Sequence, residues 1–146
     1  MKKILSLVMA MCLTFAMGAT AFAADVPLGS NSVATITNGI TPNAVLSFNF
    51  TNLPAGSNTQ SSETYYISNS NATLTISSCT WSPASQNVHI GFYNVSTGTL
   101  YYVTYSGGAI YSQGINSSGI PNGDYRVCVQ NAGTSSITGT IQYRVS

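Results

Sequence analysis

The feature that most constrains this chain is a period-two alternation of apolar and polar residues. Leu46, Phe48 and Phe50 alternate with Ser47 and Asn49. Leu74 and Ile76 alternate with Thr73, Thr75 and Ser77, and Val88, Ile90 and Phe92 with Asn87, His89 and Gly91. Tyr125, Val127 and Val129 alternate with Asp124, Arg126, Cys128 and Gln130. Ile137, Gly139, Ile141, Tyr143 and Val145 alternate with Thr138, Thr140, Gln142 and Arg144. Successive side chains of a strand point to opposite faces, so this period means strands with one buried face. The residues are mainly β-branched and aromatic, as a pleated, half-buried surface favours.

Turn chemistry separates these runs at Asn38-Gly39, Pro54-Ala55-Gly56, Asn69-Ser70-Asn71, Ser82-Pro83, Ser96-Thr97-Gly98, Ser106-Gly107-Gly108, Asn122-Gly123 and Asn131-Ala132-Gly133. About eight strands at short spacing, without a helical stretch, predict an all-β fold. The expected architecture is an antiparallel β-sandwich or jelly roll over residues 45–146. Residues 24–44 are the least patterned and read as a flexible lead-in or a first strand.

The first 23 residues read differently. Met1-Lys2-Lys3 is a short basic start, residues 4–16 are nearly all apolar, and Ala21-Phe22-Ala23 carries small residues at an A-x-A spacing. Together they predict a secretory signal peptide cut near Ala23, and so a secreted, extracellular protein with no membrane insertion after cleavage. Cys12 would leave with the peptide.

The remaining chain has no lysine. Arg126 and Arg144 stand against Asp25, Glu63 and Asp124, a formal charge of −1. Two arginines cannot neutralise a run of phosphates, so nucleic acid is excluded as a partner. Cys79 and Cys128 remain, and an exported chain with two cysteines is expected to form one disulfide. Such a bridge would stabilise the fold by about 4 kcal/mol. By strand parity both cysteines lie opposite the apolar sets, so the bridge is expected on an outward sheet face. Residues 124–131 and 137–145 are expected to pair as a hairpin that sets Asp124 opposite Arg144.

The stretch from Thr64 onward resembles the bacterial prepeptidase C-terminal domain. The residues that carry the likeness are Leu74-Thr75-Ile76, Val88 to Asn94, Gly123-Asp124-Tyr125-Arg126-Val127-Cys128-Val129, Asn131-Ala132-Gly133 and Ile137 to Val145. The resemblance implies a small secreted β-sandwich of a kind usually appended to extracellular enzymes, some of them implicated in binding collagen or other polymers. This chain lacks the acidic cluster that calcium-binding members use, so the resemblance carries the architecture and not a metal.

Chemistry-bearing residues are few. His89 is the only histidine, and no G-x-S-x-G elbow accompanies it. A glycosidase generally needs two placed carboxylates, and only Glu63 and Asp124 are at hand. No enzyme, cofactor or metal site is expected. Aromatic residues are the more informative signal. Tyr65 and Tyr66 are adjacent, so one of them must face out. Tyr93 shares a strand face with His89. Tyr101, Tyr102, Tyr105 and Tyr111 crowd one region, and Trp81 follows Cys79 on the expected outer face. Rings beside Asn, Gln and Ser form flat apolar platforms with polar edges, as sugar- and protein-binding surfaces use. Trp81, Tyr93, His89 and Tyr102 are therefore the candidate ligand-binding residues.

The expected function is a noncatalytic binding module for an extracellular polysaccharide or a surface protein. One alternative is a self-assembling structural or matrix protein, a homo-oligomer in which residues 24–44 donate a strand to a neighbour. A second is a secreted inhibitor or effector.

Overall fold

The computed structural model describes residues 25–28, 44–69 and 71–146. The expected signal peptide and most of the lead-in lie outside these residues. Ten strands and no helix occur among the described residues. They are β1 (Val26–Pro27), β2 (Leu46–Leu53), β3 (Asn58–Gln60), β4 (Tyr65–Ile67), β5 (Thr73–Ser82), β6 (Val88–Asn94), β7 (Leu100–Tyr105), β8 (Ala109–Asn116), β9 (Gly123–Asn131) and β10 (Ile137–Val145).

They form two sheets. The first, sheet A, runs β1-β7-β6-β9-β3, with β4 also paired to β9. The second, sheet B, runs β2-β10-β5-β8. All pairings are antiparallel except β1 on β7, where Val26 and Pro27 run parallel beside Tyr101 and Tyr102. The inner faces share one core. Sheet A contributes Ile67, Val88, Ile90, Phe92, Val103, Tyr125, Val127 and Val129, and sheet B contributes Phe50, Leu53, Leu74, Ile76, Ile115, Ile137, Ile141, Tyr143 and Val145. Each large apolar side chain so buried contributes about 1.5–3 kcal/mol. The parity read from sequence for β6, β9 and β10 is the parity of this core.

The ring contacts at the centre are edge-on, with Tyr125 meeting Phe92 at 6.4 Å and Tyr101 at 6.1 Å between centroids. That geometry places a positive ring edge on a negative face. The Tyr125 hydroxyl donates to the Pro121 carbonyl at 2.7 Å, which ties the turn before β9 to the strand's first buried ring. This is the tyrosine-corner arrangement of many β-sandwiches.

Two bulges adjust the parity. Between β10 and β5 the register passes from Gln142 opposite Ser78 to Tyr143 opposite Ile76, which leaves Ser77 as an extra residue on β5. One extra residue reverses the face of everything beyond it. Leu74 and Ile76 before the bulge, and Cys79 and Trp81 after it, therefore all point into the core. Between β10 and β2 the register shifts between Ile137 and Gly139. There Asn52 adopts a left-handed backbone (φ 50°) and its N–H donates to Thr138 Oγ1 at 3.0 Å, so that Phe50 and Leu53 both reach the core.

The expected disulfide does not form, because the two cysteines lie on different sheets. Cys79 faces inward from sheet B. Cys128, alternating with Val127 and Val129, lies on the side of sheet A turned away from the core. Packed sheets lie about 10 Å apart, and a bridge needs Cα atoms within about 4.4–6.8 Å. Both are buried free thiols. Burial pushes Cys79 up to about 12. Cys128 is also raised, by burial first and by the nearby charge of Asp25 second.

The expected β9–β10 hairpin does not form either. These strands belong to different sheets, with Asp124 opposite Tyr66 and Arg144 opposite Thr75. The crossing is held by buried Asn131, whose Nδ2 donates to Leu53 O (2.9 Å) and Ser135 O (2.8 Å) while its Oδ1 accepts from Gly133 N (2.9 Å). Gln86 Oε1 accepts from the backbone of Thr134 and Ser135. These bonds satisfy a turn that a hairpin ladder would otherwise have satisfied.

Candidate functional site

Three of the four candidate residues lie together on the outer face of sheet A. Residues directly opposite across a ladder share a face. One row runs Thr104, His89, Gln130, Asn58, and the next runs Tyr102, Gly91, Cys128, Gln60. A third holds Leu100, Tyr93 and Arg126, and Tyr66 lies opposite Asp124 at the far end of β9.

Within this face His89 and Tyr102 are stacked, with centroids 3.8 Å apart and planes 15° from parallel. They are diagonal neighbours, and Gly91 lies directly opposite Tyr102. With no side chain at Gly91, the backbone of β7 at Tyr101 and Tyr102 lies close against β6 beside the stack. On the other side of the histidine, Nδ1 hydrogen-bonds Gln130 Oε1 at 2.9 Å. Gln130 Nε2 in turn donates to Asp25 Oδ2 at 3.1 Å, and Asp25 Oδ1 accepts from Leu100 N at 3.2 Å. A short segment anchored on the sheet edge thus braces an aromatic pair on the second and third strands of the sheet. Tyr93 is half-buried, and a Cβ at Gly98 would lie 3.4 Å from its hydroxyl, so the phenol reaches the 96–98 turn. Arg126 Nε donates to Thr64 Oγ1 at 3.3 Å. Tyr66 stands out with 63% of its surface exposed.

Trp81 is not on this face. It is 4% exposed inside the core, and its indole N–H donates to Gln86 O at 2.6 Å. The parity reading that set it outside fails at the Ser77 bulge, so Trp81 offers no surface to a ligand. Sequence reasoning also missed Gln130 and Asp25. Gln130 was detectable as the outward neighbour of Cys128. Asp25 carried no pattern, since its role depends on where the chain before β2 is placed.

Among the described residues no group of three or more His, Cys, Asp or Glu gathers as metal ligands. Glu63 lies apart from the His89 face. Its carboxyl is held below the usual range by a hydrogen bond from Ser62 first, and it accepts from Tyr143 OH at 3.2 Å. No protein-family model matches this chain, and no curated protein matches it.

Proposed function

We propose that this protein is a secreted, noncatalytic binding module that takes an extracellular polysaccharide on the outer face of sheet A. The observation that carries the reading is the braced His89–Tyr102 stack, which lies outside the core. Ordering long polar side chains and a ring costs entropy, and packing the core does not require it here. A face ordered before binding lowers the cost of association. Flat rings flanked by Gln130, Arg126, Asn58 and Gln60 suit a neutral, hydroxyl-rich ligand, with apolar sugar faces on the rings and hydroxyls on the amides. The strand order, in which β2-β10-β5-β8 interleaves with β7-β6-β9-β3, supports a jelly-roll reading, an architecture that lectin domains use. The resemblance of residues 64–146 to prepeptidase C-terminal domains supports the same reading.

The test is retention of the mature chain 24–146 on insoluble polysaccharides, cell walls and collagen. Tyr102→Ala and His89→Ala are expected to lower retention by about 3- to 10-fold each, the worth of one aromatic contact, with an unchanged circular dichroism spectrum. Equal retention by both variants would remove this face from the site. Retention on collagen alone would make the ligand a protein.

A second reading, self-assembly into a structural protein, is favoured by the sheet edges. β2, β3, β4 and β8 carry no charged residue, and charge is a common guard against edge pairing. Large regular species in light scattering, with no polymer retained, would select it.

A further inference from the structure

The polar chain behind the aromatic stack has a direction. Asp25, as a carboxylate, can only accept hydrogen bonds. The group that Gln130 turns toward it must therefore be the amide NH₂, as the 3.1 Å contact from Nε2 to Oδ2 has it. With Nε2 committed to Asp25, the oxygen Oε1 is the atom left facing His89, 2.9 Å from Nδ1. An amide oxygen cannot donate, so the proton of that bond belongs to Nδ1. In a neutral imidazole one nitrogen donates and the other accepts, and the partner of one decides the role of the other.

We infer that Asp25, acting through Gln130, sets the tautomer of His89 and makes its Nε2 a hydrogen-bond acceptor on the binding face. Asp25 is a positioning residue, two bonds removed from the ring it controls. Leu100 N–H fixes the other carboxylate oxygen at 3.2 Å, so the carboxylate is held between two donors. A ligand group that meets Nε2 must bring a hydrogen. Resting on the proposed polysaccharide reading, this selects a sugar hydroxyl in its donor sense at His89. The Tyr102 ring covers one face of the imidazole, centroids 3.8 Å apart, and the Nε2 lone pair points outward in the ring plane, the direction from which that hydroxyl must come. The neighbours of His89 on the adjoining strands are Thr104 on β7 and Gln130 on β9, so Asp25 is the acid that the hydrogen bonds connect to it.

The experiment is nitrogen-15 NMR of the mature chain 24–146, labelled at histidine and read at alkaline pH where imidazole is neutral. The expected result is a protonated, pyrrole-type Nδ1 and a bare, pyridine-type Nε2. Asp25→Ala frees the Gln130 amide to turn over, and the protonated Nε2 form is expected to become at least half of the population. Asp25→Asn keeps the size but offers one acceptor oxygen to two donors, and is expected to give a mixture between the two. A protonated Nε2 in the parent protein would overturn the inference. So would an Asp25→Ala spectrum with Nδ1 still fully protonated. Retention on polysaccharide, measured on the same samples, separates this inference from the functional reading. The expected tautomer with no retention sinks only the ligand class, and the opposite tautomer with retention sinks only the role of Asp25.

Discussion

Gly91 lies directly opposite Tyr102, and a Cβ at Gly91 would stand 1.9 Å from the Tyr101 carbonyl oxygen and 2.8 Å from Tyr102 Cα. The backbone of β7 occupies the space a side chain would need. Gly91→Ala is therefore expected to push β7 away, costing about 3 kcal/mol in urea unfolding and loosening the His89–Tyr102 stack. A variant as stable as the parent would show that the strands separate freely.

The separation of Cys79 from Cys128 predicts a protein indifferent to reductant. Gel mobility and thermal midpoint are expected to be the same with and without dithiothreitol. Neither thiol is expected to react with an alkylating reagent at neutral pH until the chain unfolds, since both are buried and protonated. A mobility shift on reduction would contradict this placement.

Stability is expected to fall in alkali. Burial raises Cys79, Cys128, Tyr65, Tyr105, Tyr125 and Tyr143 above their ordinary values. Between the unfolded and folded values the native chain holds more protons than the unfolded one, so stability drops as pH rises. The contribution is intact below about pH 8.5 for the thiols and about 10 for the phenols, and is lost as pH climbs above those values. On the acid side Glu63 works in the opposite sense, with stability lost as pH falls through its lowered value. It is exposed, and so worth little. Urea midpoints from pH 4 to 11 are expected to decline mainly at the alkaline end.

Trp81 is the chain's single tryptophan and a core residue, so it reports folding rather than binding. Trp81→Ala is expected to cost about 3–5 kcal/mol. Indole fluorescence of the parent is expected to be shielded from iodide, unchanged by polysaccharide, and red-shifted only on unfolding. Quenching in the native state would place the ring at the surface.

The core and the candidate face differ in how far the sequence foretold them. Regular alternation exposed the inner sets of β6, β9 and β10, because an unbroken pleat obeys one rule. The same rule put His89 and Tyr93 outside, where they lie half-buried; it did not assign Tyr102 a face. It failed on β5, because the bulge rests on Ser77, a small polar residue without turn chemistry of its own. Leu74 and Trp81 then read as opposites though they share a side. The β9–β10 hairpin was misread because alternation ranks faces and says nothing of which sheet a strand joins. That choice is made by the amides of Asn131, which reaches Leu53, and of Gln86, which reaches Ser135, both at long sequence distance.

The interleaved order also sets a timetable. Among the described residues β2 hydrogen-bonds to β10 alone within sheet B, so the first long strand described must wait for the last. The one ladder between consecutive strands among the described residues is β6 with β7; the other partners are brought together over longer stretches of chain. Closing such loops before any contact rewards them is slow, and sandwiches of this kind fold in milliseconds to seconds. A chain lacking β10 (Ile137–Val145) would leave β2 and β5 without the strand between them. Sheet B would then be missing its centre, so the fold is all-or-none with respect to its own completion.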